Sequence, residues 1–231
     1  MSKKKEELTK TDMVQAETVE AINRSEEYLK KNRKLIIGLL VALVVVIGGI
    51  IAYNNLYKGP RQKNAQEAIF KAEHYFGQDQ FEVALNGNGA DIPGFLQVID
   101  KYSGTEAANL AQAYAGICYA RLGQPDKAIE HLKKFNAKDI MVSPAVHGAI
   151  GDCYADLDKP AEAVKYFEKA AQMADNDLLS PIFLKKAGIA YEAMGDINNA
   201  LKSYQQIVDK YYSSSEYPEA KKMIQALELK K

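Results

Sequence analysis

Three stretches of this chain superpose without a gap: YAGICYARLGQPDKAIEHLKKF at 114–135, AIGDCYADLDKPAEAVKYFEKA at 149–170 and KAGIAYEAMGDINNALKSYQQI at 186–207. Gly116, Gly151 and Gly188 share a column, as do Tyr119, Tyr154 and Tyr191, then Ala128, Ala163 and Ala200, and finally the bulky Leu132, Phe167 and Tyr204. The offsets are 35 and 37 residues throughout. A period of this length marks stacked supersecondary units, each unable to bury its apolar face alone. Each unit reads as two short amphipathic helices joined at Gly123-Gln124-Pro125, Asp158-Lys159-Pro160 or Gly195-Asp196. Small residues in the glycine and alanine columns let paired helices approach, and the tyrosine and bulky columns fill the space between them. Ser143-Pro144 and Ser180-Pro181 read as helix starts, with serine as the cap and proline in the first turn.

These columns resemble the tetratricopeptide repeat over roughly 109–214. The departures are Gln112, His147 and Leu184 where an aromatic is usual, and Asp158 where glycine is usual. The resemblance implies an all-α fold, an α-solenoid with units at 109–142, 144–177 and 181–214. Upstream, 64–103 reads as a degenerate unit: AQEAIFKAEHYF is an amphipathic helix and QFEVAL resembles a second-helix start. An Asn-Gly-Asn-Gly-Ala-Asp stretch (86–91) then intervenes before GFLQVIDKY. It reads as a connector, with a recognition loop as the alternative. The stretch 216–229 reads as a capping helix with a polar outer face, closing a periodic domain over 64–231.

Ahead of the repeats, Leu35 to Tyr53 (LIIGLLVALVVVIGGIIAY) holds nineteen consecutive uncharged residues. As a helix at about 1.5 Å per residue this matches a hydrocarbon layer about 30 Å thick. The run has no polar face, as a core helix would. No small-x-small cleavage site stands at its end, where the chain reads Ile51-Ala52-Tyr53-Asn54, so the expectation is an uncleaved transmembrane helix at 35–53. The tail before it (1–34) carries nine Lys or Arg, with Lys30, Lys31, Arg33 and Lys34 against the run. Beyond a juxtamembrane linker at 54–63 lies the long remainder, which translocates largely regardless of charge. The expected topology is N-terminus cytoplasmic and C-terminal domain outside.

The formal net charge is zero, and from Gly59 onward there are 20 basic and 23 acidic residues, well mixed. Nucleic acid, which calls for a basic stripe, is not expected. Cys118 and Cys153 form no C-x-x-C pair, and they occupy the same column of adjacent units. Equivalent positions on stacked helices lie about 8–10 Å apart, beyond the roughly 7 Å Cα limit for a disulfide, so two buried free thiols are expected. His74, His131 and His147 lie at no metal-ligand spacing. No phosphate loop, nucleophile elbow or H-E-x-x-H occurs. The remaining catalytic candidates are the carboxylates Asp152 and Asp156, with Glu192 in the next unit. Lacking a basic partner at helical spacing, they read as a solvated acidic patch. Neither catalysis nor a cofactor nor a metal is expected.

A solenoid of helix pairs offers instead a concave surface lined by outward positions of each first helix. By register these are Leu110, Ala113, Ile117, Ala120 and Arg121, then Ala145, Gly148, Asp152 and Asp156, then Ile182, Lys185, Ile189 and Glu192. Such a groove, apolar toward its ends and acidic in the middle, suits an extended peptide or a partner helix. It does not resemble the tetratricopeptide groove that grips a C-terminal carboxylate, because of that set's cationic columns only Lys186 is matched.

The order of parts, the tail motif Glu17-Thr18-Val19-Glu20-Ala21 and the run ALNGNG…GFLQVIDKY…AANLAQAYAGICY…LG resemble the YfgM-like family of ancillary SecYEG translocon subunits, in its Bacteroidetes-type form. That resemblance implies an inner-membrane protein with a periplasmic domain. Its partners would be SecYEG and a membrane-anchored periplasmic chaperone of the peptidyl-prolyl isomerase type, beside which it receives emerging polypeptides. The alternative is an adaptor in envelope biogenesis or cell division, contacting outer-membrane or peptidoglycan machinery. Within the apolar run, Gly38, Ala42, Gly49 and Ala52 fall on one arc of the helix, which suits close packing against another membrane helix. The open alternative is that small residues are simply common in such helices.

Overall fold

The computed structural model describes residue 24 and residues 27–89, 91–136 and 138–229. The tail motif at 17–21 lies outside the described residues. Two compact units emerge, Met1–Pro60 and Arg61–Lys231. The first contains helix α1 (Arg33–Tyr53), none of whose residues is buried, followed by a π-type segment at Asn54–Lys58. Among the described residues α1 is the one helix apolar and long enough to cross a membrane by length and composition.

From Gly59 onward the chain is a series of helices, of which all but the first two residues belong to the second unit: α2 (Gly59–Phe76), α3 (Phe81–Asn86), α4 (Phe95–Lys101), α5 (Glu106–Arg121), α6 (Pro125–Leu132), α7 (Val142–Asp156), α8 (Pro160–Ala174), α9 (Ser180–Ala193), α10 (Ile197–Lys210) and α11 (Tyr217–Glu228). Packing runs in series, each helix from α5 to α10 against the next one along the chain. The glycine column explains how tightly each pair closes. A Cβ at Gly116 would stand 2.5 Å from Leu132 Cγ, and one at Gly151 would stand 2.5 Å from Phe167 Cε1. At Gly188 it would run into the Tyr204 ring. Leu132, Phe167 and Tyr204 are all buried, so the bulky column of each second helix fills the space left by the glycine of the first.

The turns within the pairs are equally regular. Gly123 (φ 70°), Asp158 (φ 55°) and Gly195 (φ 75°) are left-handed, and Asp79 (φ 57°) adopts the same backbone upstream. In each turn the following amide donates to a tyrosine carbonyl: Gln80 to Tyr75, Gln124 to Tyr119, Lys159 to Tyr154 and Asp196 to Tyr191, at 2.8–3.0 Å. These bonds satisfy carbonyls that a helix C-terminus otherwise leaves open.

That shared turn shows the segment upstream of 103 to be built on the same plan. Ala84 matches the alanine column nine residues after its tyrosine and is buried. The chain then departs at Gly87, which pairs with Pro93 across a closed neck. Asn88 Oδ1 accepts from the amides of Asp91 and Ile92 at 3.2 and 3.0 Å, curling the excursion on itself. Past the neck the sequence FLQVIDKY (95–102) matches YQQIVDKY (204–211), placing buried Phe95 where Tyr204 stands. The unit is a full helix pair whose second helix is interrupted by seven residues, 87–93.

The helix starts correct one expectation. Ser143 and Ser180 do not cap. Asp139 Oδ1 accepts from the amides of Met141 and Val142, and its Oδ2 from the Ser143 hydroxyl at 3.0 Å. Asn176 Oδ1 accepts from the amides of Leu178 and Leu179 at 3.0 and 2.8 Å. The serines lie one turn further in and are buried, and Ser180 Oγ donates to Ala171 O at 2.8 Å, tying α9 back to α8. A buried hydroxyl needs such a partner, and an exposed Asp or Asn is free to cap in its place.

Candidate functional site

The first helices of the first two repeats, α5 and α7, touch one another. Between α5 and α7 lies an open depression lined by Ile117, Ala120 and Arg121 on one side and Ala149, Asp152, Cys153 and Asp156 on the other. Five residues expected in the groove, Ile117, Ala120, Arg121, Asp152 and Asp156, are thereby brought together. Ile189 continues the apolar character on α9, 49% exposed, with Ile182 half-buried two turns before it. Leu110, half-buried, packs against the N-terminal core and contributes little open surface.

Ala113 does not line the groove. It is 3% exposed, in a core cluster with Val146 and Ile150 of α7. Its column explains why. The equivalent Gly148 is so close to α9 that a Cβ there would overlap the Phe183 ring. The equivalent Lys185 forms an ion pair with Glu216, just ahead of α11. In all three units this column faces the next unit, filled by a methyl at Ala113, a hydrogen at Gly148 and a long flexible chain at Lys185. Lys185 is therefore also bound to the following element rather than presented to a ligand.

The acidic patch is smaller than the spacing of carboxylates suggests. Lys186 Nζ donates to both Asp152 oxygens at 2.7 Å and lies 5.8 Å from the centre of the Phe167 ring. Glu192 turns away from the pair and accepts from the Tyr204 hydroxyl at 2.6 Å. Burial and that carboxylate together push the Tyr204 phenol well up. Asp156 remains exposed beside Arg121. Among the described residues no group of three or more His, Cys, Asp or Glu is placed to hold a metal ion.

Cys118 and Cys153 are free and buried. Burial pushes the Cys118 thiol up to about 12. Burial, then the charges of Asp156 and Asp152, push Cys153 up to about 11. Both stay protonated near neutrality and are poor nucleophiles.

A cluster away from the groove escaped the sequence reading. Lys133 Nζ donates to the Tyr154 hydroxyl at 2.8 Å and sits over the Tyr154 and Tyr166 rings, which stack 5.4 Å apart. The tyrosine column itself was the available signal, since each of its members needs a polar partner for its hydroxyl. In the next unit Tyr191 donates to Glu168 at 2.7 Å. These contacts fasten adjacent pairs together.

Two models described as "Tetratricopeptide repeat" match the chain, one at 144–177 and the other at 111–139 and 186–214. No curated protein matches. Solved structures match over most of the chain. Two of the MamA protein are 18% and 19% identical, cover 73% and 68% of this chain and 81% of their own, and superpose with TM-scores of 0.56 and 0.54. The nearly identical TPR-like repeats assigned to a Podosopora anserina kinesin light chain are 16% identical, cover 73% of this chain and 97% of their own, and give a TM-score of 0.52. At these identities the likeness is one of fold. Residues 111–214 thus hold three consecutive tetratricopeptide repeats, in an all-helical solenoid whose repeats imply a scaffold for protein–protein interaction.

Proposed function

We propose that this chain is a non-enzymatic scaffold anchored in the bacterial inner membrane by α1, with its tail in the cytoplasm and its tetratricopeptide solenoid in the periplasm. In this reading the groove of Ile117, Arg121, Asp152, Asp156, Ile182 and Ile189 receives an extended polypeptide or a partner helix. The scaffold serves as an ancillary subunit of the Sec translocon, of the YfgM-like type. It links the channel to a membrane-anchored peptidyl-prolyl isomerase-like chaperone and takes no cofactor.

The observation that carries the reading is the conjunction, on one chain, of an apolar helix with no buried residue and a tetratricopeptide solenoid with an open depression between α5 and α7. A helix that apolar gains from lipid what it loses in water. The dispersal of the carboxylates supports a binding role over catalysis, since Asp152 is held by Lys186 and Glu192 by Tyr204. Cross-linking in native membranes, followed by mass spectrometry, tests it. Recovery of SecY, SecE or SecG with a periplasmic chaperone is expected. Recovery of outer-membrane or peptidoglycan machinery alone would replace it with the envelope-adaptor reading. Protease added to spheroplasts should remove the residues beyond Lys58 and spare the tail.

A further inference from the structure

The large apolar side chains that the solenoid leaves in solvent are unevenly placed. Among the described residues from Arg61 onward nine are exposed, and five of these are Ile140, Met141, Val142, Leu178 and Tyr212. All five lie in or at the segments that lead from a second helix to the next first helix. They are 42–74% exposed. Helices joined by short connections alternate in direction, so these segments gather along one edge of the solenoid. The tight turns at Asp79, Gly123, Asp158 and Gly195 make the opposite edge, where polar residues predominate and Met194 is the exposed apolar side chain. Met141 and Leu178 each stand two residues before the buried serine of their unit, so the second and third repeats each present an apolar side chain here.

The edge is stitched together and begins where the unit begins. Arg61 Nη2 donates to Ser103 O at 3.1 Å, and Gln62 Oε1 accepts from the Glu106 amide at 3.4 Å. The Asn109 side chain exchanges two hydrogen bonds with the Asn136 backbone at 2.9 Å, and Ser213 Oγ donates to Asp177 at 2.9 Å. The chain arrives at Arg61 from Tyr53, the last residue of α1, eight residues earlier. Eight residues reach at most about 29 Å however they are arranged. An α1 that crosses a bilayer therefore keeps the start of this edge within that distance of the headgroups, at a high effective concentration toward them.

We propose that this edge docks on the lipid surface, with Ile140, Met141, Val142, Leu178 and Tyr212 entering the headgroup region. The proposal rests on α1 being a membrane anchor. Apolar side chains on protruding segments need only a shallow immersion to leave water, and tyrosine suits the interface with an apolar ring and a polar tip. Docking by this edge leaves the first and second helices standing off the membrane, with the groove open along its length.

The full chain in phosphatidylethanolamine/phosphatidylglycerol vesicles tests this. Single cysteines at Met141→Cys and Leu178→Cys carry a bimane probe, and Gln124→Cys and Lys159→Cys carry it on the opposite edge. All four positions are exposed or half-exposed, and the native thiols are buried and protonated, so labelling is confined to the introduced sites. Lipid-borne nitroxide is expected to quench the probe at 141 and 178 at least threefold more than at 124 and 159, and aqueous iodide to show the reverse order. Ile140→Ser with Val142→Ser should lower the lipid quenching at 141 while the chain stays in carbonate-washed vesicles. Equal quenching at both edges in vesicles that retain the chain overturns the docking and leaves the anchor standing. Loss of the chain on carbonate washing overturns both. Shielding from iodide without lipid quenching means that a protein or a second copy covers the edge, and also overturns the proposal.

Discussion

Lys186 reaches from the third repeat to the second and closes on Asp152, its Nζ 2.7 Å from both carboxylate oxygens. The one cation that matched a carboxylate-gripping groove is thus occupied by an acid of the neighbouring helix. Both side chains remain partly in solvent, so the pair is worth only about 0–1 kcal/mol of stability. Its larger effect is on what the groove presents. Lys186→Ala should leave Tm nearly unchanged and expose the Asp152 charge beside Asp156, strengthening the binding of a basic peptide several-fold at low salt. Titration of a fluorescent Lys-rich peptide against both chains measures this, and the difference should shrink at high salt.

The glycine column gives the sharpest stability prediction. Gly151→Ala places a methyl 2.5 Å from Phe167 Cε1, and the ring is buried on all sides. A cost of about 1–3 kcal/mol is expected from overpacking, against about 3–5 kcal/mol for Phe167→Ala, which leaves a cavity. Combining Gly151→Ala with Phe167→Leu should recover part of the first loss. Denaturant unfolding of the parent, Gly151→Ala, Phe167→Leu and their combination, read as a double-mutant cycle, checks it.

The thiols predict a pH window. Both are raised above their ordinary value of 9.0, Cys118 to about 12 and Cys153 to about 11, by burial first. A group raised on folding contributes stability that is complete below its unfolded pKa and declines as pH rises toward the folded one. Stability should therefore fall between pH 9 and pH 11–12, and Cys118→Ala with Cys153→Ala should flatten that fall. Maleimide should label neither thiol in the native chain at pH 7.5 and both after unfolding.

Asp158 holds a left-handed backbone that two repeats give to glycine. Asp158→Gly should raise stability by up to about 1 kcal/mol, and Gly195→Ala should lower it by about 1–2 kcal/mol. Thermal melts of the two variants should move in opposite directions.

The interrupted helix predicts a tolerated deletion. Gly94 lies so close to Gly87 and to the carbonyl carbon of Asn86 that a Cβ would not fit between them. Removing residues 87–93 joins ends that already touch and restores the register of FLQVIDKY with YQQIVDKY. Circular dichroism should show the helix content kept and a cooperative melt within a few degrees of the parent.

Much of this fold was legible from columns alone, because the glycine, tyrosine, alanine and bulky positions each carry one packing task in every unit. The tetratricopeptide pattern at 111–214 and the burial of Cys118 and Cys153 follow from those tasks. The groove was harder to read. Register says which residues leave a helix in one direction, but it does not say how far the next unit overlaps it. That is why register places Ala113 on open surface while it lies in the core, and why Lys185 meets Glu216. The serines misled for a related reason: a Ser-Pro pair has the local chemistry of a cap, yet burial against α8 turned Ser180 inward and left the capping to Asn176. The Lys133–Tyr154–Tyr166 cluster joins residues 12 to 33 apart in sequence, outside any single unit's pattern.

The column of Ala113, Gly148 and Lys185 hands each unit to the one after it, and contacts run mainly between neighbours along the chain. Load applied at the C-terminal side is then borne in sequence rather than shared. A pull on Lys231 would first part Lys185 from Glu216 and strip α11. It would next draw Tyr204 away from Gly188, and only later disturb Phe95 and Ile69. Such a chain yields as a staircase of short extensions, with the end nearest Arg61 the last to let go.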